Sequence, residues 1–135
     1  MPDLGIRPPD PKPYRPPPAE VCSEKTYPIS LGDGTNELVV RMRRYKHFIV
    51  DFSVHQVHVD EDGKRHDVAR IDCCTVGTIH RHQFVKSTGE DVYDHRTIQP
   101  IPADDPWPVV SSGYDQAIDV MMDEWEENLG RWRDG

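Results

Sequence analysis

The chain has 135 residues, 36% of them hydrophobic and 30% charged, with a formal net charge of −8. That length fits one domain with a modest core and a well-solvated surface, and the net acidity excludes a protein that holds nucleic acid by its overall charge. No apolar run approaches the roughly 18 residues needed to span a bilayer, and Met1-Pro2-Asp3-Leu4-Gly5 lacks the pattern of a signal peptide, so the expectation is a cytoplasmic protein with no membrane partner.

The first 18 residues hold eight of the 13 prolines. Proline has no donor N–H, so this stretch predicts a disordered, polyproline-like tail over residues 1–20, followed by a single α+β domain over 21–135. PxxP spacing at Pro8–Pro11 and Pro13–Pro16 is the pattern that aromatic-lined grooves dock, but it is nearly unavoidable at this proline density, so a passive tail is the favoured reading and a ligand motif the alternative. Cys22, Cys73 and Cys74 make an odd set with one adjacent pair. Neighbours on a strand face opposite sides of a sheet, so all three are expected as reduced thiols.

From Tyr27 the pattern is one of strands and turns. Lys25 to Leu31 reads as an edge strand, because Pro28 interrupts it. Glu37 to Tyr45 alternates Leu38, Val40 and Met42 with Val39, Arg41 and Arg43, a half-buried strand. Phe48, Val50, Phe52 and Val54 repeat that period before Val57 and Val59 change parity, which predicts a bulge near His55-Gln56. Asp60-Glu61-Asp62-Gly63 is a hairpin turn. Strands then follow over Arg65–Cys74, Thr78–Val85 and Asp91–Gln99, with turns at Gly77 and at Lys86–Gly89. Pro100, Pro102, Pro106 and Pro108 predict an irregular crossing.

The last segment is helical over residues 113–132. Tyr114, Ile118, Met121, Trp125, Leu129 and Trp132 form one stripe at helical spacing, and Ser112 with Asp115 has the form of a capping box. The fold class is therefore α+β: an antiparallel meander of five or six strands with this amphipathic helix packed on the sheet.

Charge is unevenly placed. Residues 36–98 carry ten bases, ten acids and all seven histidines, whereas residues 113–135 have seven acids against two arginines. Arg41, Arg43, Arg44 and Lys46 are the one candidate basic footprint, and Arg41 and Arg43 also fit a plain solvent face of a strand.

Chemistry concentrates at His80-Arg81-His82. Two residues apart on a strand, the imidazoles share a face roughly 7 Å apart, at about 3.3–3.4 Å per residue. Arg70 and Asp72 share a face of the preceding strand, and Asp94 and Arg96 share one on the following strand. If the hairpin aligns its polar faces, Arg70, Asp72, His80 and His82 form one cluster. Such a cluster suits two chemistries. Two histidines with a carboxylate can hold a divalent metal. Alternatively, histidines can trade protons with a substrate hydroxyl while arginine holds a phosphate. A solvated polar face is the bland alternative. No GxSxG, HExxH or Gly-rich phosphate loop occurs, and no cofactor is expected.

The stretch from His47 to His95, with its Asp60-Glu61-Asp62-Gly63 turn, its Arg70-Ile71-Asp72 and its His80 and His82, resembles the small TumE-like toxins of bacterial toxin–antitoxin pairs. The resemblance implies a compact β-rich ribonuclease neutralised by an antitoxin protein. It covers about a third of the chain. The spacer Cys73-Cys74-Thr75-Val76-Gly77-Thr78-Ile79, the proline-rich tail and the acidic helix depart from that pattern. The expected function is thus a metal-independent ribonuclease, with His80, His82 and Asp72 catalytic, Arg70 and Arg96 binding an RNA substrate, and no metal. A non-catalytic protein-binding module of a mobile element or phage, or a metal-binding β-domain, are the alternatives.

Overall fold

The computed structural model describes residues 13–73 and 77–135. It consists of six antiparallel strands in meander order and one long helix: β1 (Ser23–Leu31), β2 (Asn36–Tyr45), β3 (Phe48–Val59), β4 (Arg65–Cys73), β5 (Thr78–Gln83), β6 (Arg96–Pro100) and α1 (Trp107–Asp134). The strands alternate as their residue pattern requires. Leu38, Val40, Phe52, Val54, Ile71 and Ile79 face α1 and are buried, whereas Arg41, Arg43, Arg70 and Asp72 take the opposite face. The α+β expectation holds.

The helix crosses β3, β4 and β5. Its first half packs dry: Val110, Gly113, Ala117 and Met121 are buried against the core. Gly113 permits a close approach, since a Cβ there would lie 2.5 Å from Ile79 Cδ1 and would displace the end of that side chain. Trp125 is half-buried and lies over the β1–β2 turn, where a Cβ on Gly32 would meet its ring at 2.6 Å. The second half is held by amides. Asn128, fully buried, donates to Gln56 Oε1 at 3.1 Å, and Gln56 Nε2 donates to Trp125 O at 3.0 Å. Gln83 Nε2 donates to Asn128 O at 3.1 Å.

Several expectations are corrected. The helix starts at Trp107, not at residue 113, because Pro108 in the first turn needs no N–H partner. Ser112 is therefore inside the helix, where its Oγ accepts from Gln116 rather than capping. Pro100 closes β6 opposite Thr78, which an edge strand tolerates. The β3–β4 register does shift at Gln56/Val57, but the extra residue is Val68 on β4; against β2, β3 keeps its parity from Asp51 to His58 and shifts instead at Arg43/Arg44, where Val50 is the extra residue. Residues 92–95 turn rather than extend and Asp91 makes only an isolated bridge to Phe84, so the closing strand is only Arg96–Pro100.

The packed chain also begins earlier than composition suggests. Tyr14 is buried, donates its hydroxyl to Val50 O at 2.8 Å and meets Trp107 edge-on. The expected disordered tail over residues 1–20 thus includes a residue of the core. Pro8–Pro11 lies outside the described residues. Cys22 is a free thiol, but Cys73 is disulfide-bonded, which corrects the expectation of three reduced thiols. That expectation needed Cys74 to continue the strand; β4 ends at Cys73, and Cys74 lies outside the described residues.

Candidate functional site: a histidine–carboxylate cluster on the open face

The face of the sheet away from α1 carries two polar groups. One is an ion-pair ladder across β1, β2 and β3. Asp51 Oδ2 takes Arg41 at 3.1 Å and Arg43 at 3.3 Å, and Arg43 Nε donates to Glu24 at 2.8 Å. Two of the four bases in the candidate basic footprint are thus already neutralised by carboxylates.

The second group is built by register. In the β4–β5 hairpin Arg70 stands opposite His82 and Asp72 opposite His80, so the four expected residues do share one face. His82 is only 2% exposed. Its Nε2 lies 3.1 Å from Asp72 Oδ1, and its Nδ1 lies 2.8 Å from Asp91 Oδ2. Carboxylates only accept, so both contacts are hydrogen bonds when both ring nitrogens carry protons. Arg70 Nε is 2.8 Å from Asp72 Oδ2, a charge pair without hydrogen-bond alignment, and the guanidinium lies over the Phe84 ring. His80 is 6% exposed and sits beside Thr78 Oγ1, 3.0 Å from Nε2.

Two residues that the sequence reading did not select complete the cluster. Burial pushes the Asp91 carboxyl upward, but the backbone N–H groups of His95, Gln83 and Tyr93 and the His82 ring outweigh this and hold it at about 2. Oδ1 accepts from Gln83 and Tyr93, both at 3.0 Å, and Oδ2 accepts from the His95 N–H at 3.0 Å. This clamp ends the extended run: Asp94 and His95 follow with φ of 49° and 54°. Aspartate and histidine are among the residues that tolerate that region best. The turn carries the exposed His95 back over the sheet, with its ring centroid 4.8 Å from that of His82 and 6.2 Å from that of His80. The available signal was Asp91-Val92-Tyr93-Asp94-His95, in which an aspartate can bond the backbone two residues on and form a turn.

Arg96 does not join the cluster. It stands opposite Arg81, whose side chain reaches Glu124 and Asn128 on the helix side, and its guanidinium stacks 3.7 Å from the Tyr93 ring centroid. The expected pairing of Arg96 with Arg70 fails by strand alternation. His55, beside Arg70, is paired with Asp67 at 3.0 Å, and burial lowers its proton affinity.

The arrangement offers a buried, doubly anchored imidazole, two further imidazoles at its edge, and an arginine. It can transfer protons, hold an anion beside Arg70, or hold a cation between ring nitrogens and carboxylate. Among the described residues no helix is long and apolar enough to cross a membrane. Comparisons of the chain with protein-family models, with curated proteins and with solved structures found no match.

Proposed function

We propose that the open-face cluster cleaves RNA by metal-independent acid–base chemistry. The observation that carries this reading is His82 fixed between Asp72 and Asp91 with the exposed His95 at its edge and Arg70 alongside. In the proposed step His95 removes the proton from a 2′-hydroxyl and the 2′-oxygen attacks phosphorus. The bond to the 5′-oxygen breaks, and His80 gives that oxygen a proton. Arg70 holds the non-bridging oxygens, as a planar fork suited to phosphate. His82 is a positioning residue, since both of its ring nitrogens are already engaged, by Asp72 and Asp91. The products are a 2′,3′-cyclic phosphate and a 5′-hydroxyl. The resemblance to TumE-like toxins points the same way and adds an antitoxin protein as the expected partner.

The test is incubation of purified protein with a short RNA in the presence of chelator. Cleavage to cyclic-phosphate ends is expected, and His95→Ala should slow it by about 10²–10⁴-fold, the usual cost of a positioned acid or base. DNA of the same sequence should survive, having no 2′-hydroxyl. Equal cleavage of both, or of neither, overturns the reading.

One observation favours a second, non-catalytic reading. Every residue of the edge strand β6 is exposed, and beside it runs a groove of about 370 Å³ lined by Ile79, Ile98, Gln116 and Val120. An extended peptide could add there as a seventh strand. Intact RNA together with loss of amide exchange along β6 on partner binding would favour that reading.

A further inference from the structure

We infer that His82, Asp91 and His95 form a binding site for a divalent transition cation of the zinc or cobalt type. One donor atom from each lies within 4.8 Å of the other two. Two imidazoles and one carboxylate suit such ions, whereas magnesium and calcium prefer all-oxygen sites. The cation would take His82 Nδ1, the Asp91 oxygen beside it, and one ring nitrogen of His95.

The surroundings favour metal over a chance grouping. A metal-bound histidine usually donates its other N–H to a carboxylate, which fixes the ring. His82 Nε2 already faces Asp72 at 3.1 Å, and Asp72 is paired with Arg70 at 2.8 Å. Asp91 is aimed in the same way: Oδ1 is occupied by two backbone N–H groups, and Oδ2, beside His82, accepts only the His95 N–H and keeps a lone pair for the ion. Only His95 is exposed, so it can swing to admit the ion. Three protein ligands leave positions open for water.

Binding stands on this geometry alone and not on the proposed RNA cleavage. The two readings meet at His95, whose lone pair cannot serve both a cation and a 2′-hydroxyl proton. Zinc should therefore suppress cleavage in step with its occupancy.

The experiment is calorimetric titration of the metal-free full chain with zinc, cobalt and magnesium chlorides, in the absence of RNA. One zinc per chain is expected, with a raised Tm reversed by chelator and no magnesium binding. Cobalt should give visible d–d absorption that zinc displaces. His95→Ala, at an exposed position that leaves the fold intact, should weaken zinc at least tenfold. Asp72→Asn should weaken it about 10–100-fold, as loss of a partner behind a ligand does. No zinc binding, or binding that His95→Ala leaves unchanged, overturns the proposal, the latter by placing zinc at other histidines. Zinc that binds as expected but accelerates cleavage keeps the site and removes the metal-independent reading of the reaction.

Discussion

The two faces of the sheet bury polar groups in different ways. Under α1 the fully buried polar side chains are amides: Gln56, Asn128 and Gln83 bond one another and main-chain carbonyls to join β3 and β5 to the helix, and the arginines that reach them, Arg81 and Arg131, come in from the partly exposed rim. On the open face they are charged or ionisable groups. Asp51 lies between two arginines, and His82 lies between two carboxylates. A buried neutral amide needs only hydrogen bonds, but a buried charge also needs a countercharge. The helix face is therefore built for cohesion. The open face stores groups whose charge can change, as chemistry or ion binding requires.

The largest effect should come from the cohesive face. Phe52 is fully buried beneath the helix, and Phe52→Ala should cost about 3–5 kcal/mol in urea denaturation, the usual range for a truncated core aromatic. A loss below about 1 kcal/mol would mean that the helix is not clamped on β3. Next comes Asn128→Ala, which removes the donor to Gln56 and the acceptor of Arg81 Nη2 at 3.0 Å. Stranded buried partners cost about 1–3 kcal/mol. Combined with Gln56→Ala the loss should be less than additive, since both changes break one network. Full additivity would show that the amides act separately.

The difference between the faces also explains what could be read from sequence. The hydrophobic face was legible because it rests on periodicity: the alternation in β2 and β3, and the stripe through Met121 and Trp132, directly dictate which side is buried. Arg70, Asp72, His80 and His82 were placed together because one hairpin register decides their face. Asp91 and His95 were not found. Their position depends on a side chain capturing backbone N–H groups and on two left-handed residues, which leave no period. Asn128 was missed for a related reason, as a polar residue inside an apolar stripe is recognised only by its partners across the sheet. Tyr14 was hidden in a proline-rich context that says nothing of a single docked aromatic.

Tyr14 gives the third test, because it joins the end of that proline-rich segment to β3. Tyr14→Phe keeps the ring against Trp107 and removes only the hydroxyl donated to Val50 O. The expected cost is about 0.5–1.5 kcal/mol. Deleting residues 1–19 should lower the Tm further, since the ring goes too. An unchanged Tm after that deletion would return the segment to the role of a passive tail.

The smallest effect is a pH dependence that centres on the open face. His55 lies there among Asp67, Arg70 and Arg65; burial lowers its pKa below the ordinary value, and Asp67 opposes that only in part. Protons therefore bind more readily to the unfolded chain than to the folded one, in the window below the usual histidine value of about 6.5. Stability then falls as the pH falls through that window, and it is fully present above it. His58 is shifted downward as well, again by burial first, and adds to the same slope. Urea midpoints should decline from pH 7.5 to pH 5.5, and His55→Gln should flatten part of that decline. A slope of the opposite sign would mean that Asp67 outweighs burial and that His55 is held as a cation. An unchanged slope in His55→Gln would move the titrating group to His58, beside Trp132, and would remove the distinction between the two faces in this pH range.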